Sequence, residues 1–165
     1  MTENVTVNTG WRKRLIRYAP LFLWIAVILY LGSAQGSMSE TSRFIGPLLR
    51  FLFPDAAPDT LAVFHGYIRK FAHLFEYGVL AAIALIAFLG SAVSALRRHR
   101  YGAAMAVVLV VAVIDETSQS MLASRTGTPW DVGLDALGGV IALLFLLLID
   151  LARYWKSRKL KLPFV

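Results

Sequence analysis

Reactive side chains fall at helical spacing in three stretches of an otherwise apolar sequence. Arg69, His73 and Glu76 follow at i, i+4 and i+7, with Lys70 and Tyr77 beside them, and so share one helical face. Asp115, Glu116 and Gln119 occupy one face of a second stretch, at i, i+1 and i+4. Arg125 lies in a short connection, and Asp131 and Asp135 follow it one turn apart. Gly138 and Gly139 continue that last face, where missing side chains let another helix come close. An imidazole among carboxylates suits general acid–base work, which makes His73, Glu76, Asp115 and Glu116 the catalytic candidates. Arg69, Lys70 and Arg125 suit an anionic group such as phosphate, with Tyr77, Gln119, Asp131 and Asp135 as further binding residues. The same donors are numerous enough for a divalent cation. The H-E-x-x-H signature is absent, however, so no metal and no cofactor is expected. Five acids stand against three bases in this set, a balance of −2 with His73 neutral. Either a cation sits among them or one carboxyl keeps its proton, because crowded like charges resist ionisation.

The elements that position these groups are set by composition. Of 165 residues, 58% are hydrophobic and 16% charged, and the mean hydropathy is +0.63. Soluble domains run at about 25% charged, so this chain lacks the polar surface to coat a water-soluble body. The same figures exclude disorder, and nothing repeats at a solenoid period. With no cysteine, disulfides, thiol nucleophiles and thiolate metal sites are excluded together. Four stretches approach the ~20 apolar residues of a spanning helix, at about 16–34, 72–94, 101–120 and 131–150. The first follows a basic segment and ends in Gly32-Ser33-Ala34, the pattern of a signal peptide. Its apolar run is at the long end for a signal, so it reads as a retained anchor. Between the first two spans, Phe44, Ile45, Leu48, Leu49, Phe51 and Leu52 make an apolar stripe broken by Arg43 and Arg50. That stripe is too short to cross and stops at Pro54 and Pro58, which predicts a short interfacial or re-entrant helix. Asp59 is expected to cap the next, long helix. The chain therefore reads as one all-α membrane domain over 1–165.

Basic residues orient it. Twelve lie in the N-terminal segment, the loop at 97–100 and the C-terminal tail, against five on the other side, which places both termini in the cytoplasm. This accounts for the net charge of +7 without nucleic acid. Depth is the informative quantity. The 14 residues 101–114 span about 21 Å of helix, less than the ~30 Å hydrocarbon core, so Asp115 and Glu116 enter the outer leaflet. The 14 residues between Asp135 and Asp150 set the same depth for Asp135. An aspartate at mid-helix costs about 2.5–3.5 kcal/mol on insertion scales, less near the interface. Ionisable groups kept at that cost usually mark a substrate or ion path, although a network that only fixes helix register is the plainer alternative.

These residues carry a resemblance. RKFAHLFEYG, then DETSQ, then an arginine six residues on, then DVGLDALGG, resemble the VanZ-like membrane proteins. The family pattern is R-K-x-x-H-x-x-x-Y, D-E-x-x-Q, an arginine, and D-x-x-x-N-x-x-G, matched here over roughly Arg69 to Leu144. Asp135 stands where asparagine is usual and adds an acid. The resemblance implies a link to resistance against teicoplanin, a lipid-tailed glycopeptide that binds cell-wall precursors, and implies little defined chemistry.

The expected function is therefore binding or handling of an envelope lipid or amphiphile headgroup, at a polar site on the extracytoplasmic side of the cell membrane. The expected partners are membrane lipid and a lipid-linked cell-wall component or lipoglycopeptide. The alternative is a lipid-headgroup hydrolase or transferase, with Glu116 or His73 as general base and a neighbouring group as acid. His65 is expected at the interface and His99 in solvent. Trp11, Trp130 and Trp155 suit interfacial belts. Ser118 and Ser120 lack a nucleophile setting such as G-x-S-x-G.

Overall fold

The computed structural model describes residues 10–33, 38–122 and 129–159, and among these every regular element is a helix. In chain order they are α1 (Gly10–Gly32), α2 (Met38–Leu52), α3 (Pro58–Leu89), α4 (Ser94–Arg98), α5 (Arg100–Ser120) and α6 (Pro129–Lys159). Helices α1, α3, α5 and α6 are long and apolar enough to cross a membrane, which makes this a multi-pass membrane protein. Their outer faces suit lipid: Phe22, Phe75, Ile86, Phe145 and Leu148 are all exposed. A bilayer has no water to satisfy peptide groups, and so favours helices that close their own hydrogen bonds.

Helix α3 is the hub, packed against α1, α2, α5 and α6. Its buried face carries Leu80, Ala81, Ala84, Leu85 and Ala87, which meet Ala104, Val108 and Ala112 of α5 and Leu143 of α6. Small residues at these positions bring backbones close, the main source of helix association where lipid is as apolar as leucine. Glycine takes this further between α3 and α6. A Cβ added at Gly138 would collide with the backbone of Leu74, and one at Gly78 would stand 3.4 Å from the Gly138 carbonyl oxygen. Gly139 does the same service against Val108 of α5, with a virtual contact of 2.9 Å. The close approach expected at Gly138 and Gly139 is thus present.

Two local expectations change. Asp59 does not cap α3. The cap position is Ala57, in extended conformation and without a side-chain bond, followed by Pro58 in the first turn. Proline there needs no donor and has its φ preset, and Asp59 sits within the first turn, where a negative charge complements the helix dipole. The helix also closes at Leu89, short of residue 94, with Gly90 as its C-cap. Ser91 then holds the turn, accepting from Val93 N–H at 3.1 Å and from the Tyr18 hydroxyl of α1 at 2.9 Å.

Helix α2 fills the stretch between the first two spans and rests on α3 through one side. Leu49 is buried there, while Phe44 and Phe51 are exposed. His65 of α3 lies beneath it, 4% exposed, with Nε2 3.1 Å from the Thr41 hydroxyl. It makes a buried contact between α2 and α3, a burial that its sequence position does not show. The reason is tertiary: α2 folds back over that turn of α3.

Candidate functional site

The polar faces expected on three helices converge at one end of the bundle, where α1 and α5 finish and α6 begins. Asp115 lies five residues before the end of α5 and Asp135 six residues into α6, each about 8 Å in from its helix terminus. Both are 1% exposed, and Glu116 and Gln119 are buried beside Asp115. His73 of α3 reaches the pair from the third side, with Nδ1 3.4 Å from Asp135 Oδ1. One donor atom from each of His73, Asp115 and Asp135 lies within 4.8 Å of the other two.

The carboxylate of Asp115 is oriented by its neighbours. Its Oδ2 accepts from Gln119 Nε2 at 2.8 Å, one turn along α5, and from the buried Tyr77 hydroxyl of α3 at 3.3 Å. Its Oδ1 lies against Gly32 at the end of α1, where any added Cβ would strike it. That oxygen has no hydrogen-bond partner, nor has either oxygen of Asp135. Buried carboxylates are normally satisfied or paired, because desolvating one without compensation is expensive. Asp115 and Asp135 also repel each other across this space.

A cleft of about 130 Å³ lies between α1, α2 and α3 and shares His73 with the cluster. Arg69, His73 and Glu76 line its polar wall, and Leu31, Ile45 and Ile68 are among its apolar residues. Arg69 is half-buried and attracted to Asp131 at the start of α6. Glu76 is likewise within electrostatic reach of His73.

Lys70 takes a different position. It is exposed, because one residue along a helix turns the side chain by about 100°, away from the wall that Arg69 lines. Arg125 lies outside the described residues. Arg69, His73, Glu76, Tyr77, Asp115, Glu116, Gln119, Asp131 and Asp135 remain as one neighbourhood. Two residues at its edge were not singled out by sequence. Gly32 supplies the space for Asp115, and Trp24 donates from Nε1 to the Glu76 carbonyl at 3.0 Å, tying α1 to α3 beside the cleft. Within sequence, Trp24 reads as one more apolar residue of a span, and Gly32 as part of a cleavage-like tripeptide.

Four helices long enough to span a membrane and a buried acid–imidazole cluster among them define a polytopic membrane protein with a polar cluster inside its bundle. The VanZ/LLP1 family pattern matches residues 17–150, and the chain belongs to that family. Comparison with curated proteins finds no match, and comparison with solved structures finds none.

Proposed function

We propose that this protein binds the anionic headgroup of an envelope lipid or amphiphile in the cleft between α1, α2 and α3. The observation that carries the reading is the cleft itself: a cationic Arg69 stands in it beside His73 and Glu76, among the apolar side chains of Leu31, Ile45 and Ile68. Its volume accommodates a small phosphate-ester group or several waters. Arg69 supplies a charge-assisted pair to the phosphate, and its attraction to Asp131 steadies the guanidinium. On the orientation set by the basic residues, the site faces the extracytoplasmic leaflet of the cell membrane, with both termini inside and α2 at the interface. Lipid-linked cell-wall components and lipoglycopeptides present their headgroups in that leaflet. Protection from teicoplanin-type antibiotics would follow from competition for, or rearrangement of, such molecules.

Headgroup binding is read directly by native mass spectrometry of the full chain with anionic phospholipid. Arg69→Gln is expected to weaken retention about 10-fold or more, since a charged hydrogen bond contributes about 1.5–3 kcal/mol. Equal retention by the variant and the parent would sink the reading. In cells, Glu116→Gln should abolish any protection against teicoplanin at equal expression, with little effect on vancomycin, which lacks the lipid tail. Orientation is tested by thiol labelling: a cysteine at position 55 labels from outside and one at 98 does not.

A second reading is supported by the pairing of His73 with Asp135. A carboxylate beside an imidazole orients it as a general base, the arrangement of a headgroup hydrolase or transferase. Release of a headgroup product by protein in nanodiscs, lost in His73→Gln, separates turnover from binding.

A further inference from the structure

We infer that His73, Asp115 and Asp135 form a binding site for one divalent transition-metal cation of the zinc or manganese kind. The 3.4 Å between His73 Nδ1 and Asp135 Oδ1 is long for a hydrogen bond, whose usual range ends near 3.2 Å. It matches two ligands on one ion: tetrahedral zinc with bonds of about 2.05 Å places its donors about 3.3–3.4 Å apart. The third donor, from Asp115, lies within 4.8 Å of the other two, so a side-chain adjustment closes the set.

Burial supplies an independent observation. Asp115 and Asp135 are each 1% exposed, yet Asp115 Oδ1 and Asp135 Oδ2 make no hydrogen bond. Two carboxylates with a neutral imidazole carry a charge of −2, which a divalent ion cancels. The mixed nitrogen and oxygen donors favour zinc or manganese over magnesium or calcium, which prefer oxygen alone. Supporting contacts are in place. Gln119 and Tyr77 fix Asp115 through Oδ2, the outer-sphere arrangement that orients a metal-binding carboxylate. The absence of a Cβ at Gly32 leaves Asp115 its space. His73 belongs to both the trio and the cleft wall, which gives an ion its route from outside.

The pattern escapes motif reading because its ligands come from three helices. The inference does not rest on headgroup binding, and the test keeps the two apart. The full chain in nanodiscs is stripped with a chelator, exposed to Zn²⁺, Mn²⁺ or the spectroscopic substitute Co²⁺, freed of excess ion and analysed for bound metal. Wild type should retain about one ion per chain, with a raised melting temperature. His73→Gln and Asp135→Asn should retain less than about a tenth of that, while Arg69→Gln should bind the ion like wild type. Wild type without stoichiometric ion overturns the site whatever the variants do, including variants that fail to insert. Equal binding by His73→Gln overturns it too. A cluster neutralised by shared protons gives the first of these results, and Arg69-dependent lipid retention is then judged on its own.

Discussion

The two ends of the bundle solve the same problem in opposite ways. At the end where α3 meets α4 and α5, polar groups find partners. Ser91 accepts from Tyr18 at 2.9 Å, Arg97 donates to the Ser91 carbonyl at 2.9 Å, and the Tyr101 hydroxyl donates to Asp150 at 2.8 Å. Asp150 also pairs with Arg100 at 3.6 Å. One guanidinium nitrogen of Arg100 is unbonded, but the side chain is partly exposed and its charge is paired. At the other end, two buried acids and an imidazole face one another with several atoms unsatisfied. The first end is an anchor in which each contact contributes a little stability. The second is a place where stability is given up for a cluster of concentrated charge, which a ligand or ion can compensate.

The glycines sharpen the contrast, because the site end is assembled by missing side chains. The largest effect should come from Gly138→Ala, whose Cβ meets the Leu74 backbone rather than a movable side chain. Overpacking of this kind costs about 1–3 kcal/mol and sometimes more. Thermal unfolding in detergent or nanodiscs should show a loss at the upper end of that range. No loss would mean that α3 and α6 are not in backbone contact. Next comes Tyr101→Phe at the anchor end, which deletes one hydrogen bond to Asp150. It should cost about 0.5–1.5 kcal/mol and leave headgroup and ion binding unchanged. An effect on binding would break the division between the two ends.

Asp115→Asn should have a smaller effect on stability and the opposite sign. It removes one of two repelling buried charges and keeps a side chain that can still accept from Tyr77 and Gln119. With any ion chelated, this variant should melt at or above the wild-type temperature. A drop of several degrees would mark Asp115 as a structural charge. Gly102→Ala is the smallest test. A Cβ there meets nothing within 4 Å, so the gain is limited to helix propensity, at most about 1 kcal/mol. Melting temperatures of Gly102→Ala and Gly138→Ala together distinguish a packing effect from a general intolerance of alanine.

Much of this was legible from residue order. Hydropathy marked the four spans, and the distances from Asp115 and Asp135 to the far ends of their helices gave both acids one depth. Gly138 and Gly139 read correctly as points of close approach, because small residues have few other uses on the inner face of a spanning helix. Other features were hidden. Arg69 and Lys70 look equivalent in sequence, yet only Arg69 lines the cleft. The burial of His65 is not visible in sequence, because nothing local shows that α2 returns to cover it. Gly32 became informative only once Asp115 was found against it.

The sequence by itself determined that this chain folds as membrane helices and that Asp115 and Asp135 fall at matching distances along theirs. These are one-dimensional quantities: apolar length, periodicity and rise per residue. Tertiary structure alone decided that His73 faces Asp135, that Asp115 rests on Gly32 with one oxygen unbonded, and that Arg69 lines the cleft while Lys70 does not. The rotation of each helix about its axis is set by packing against its neighbours, and a 100° turn per residue makes that rotation the difference between a site and a surface.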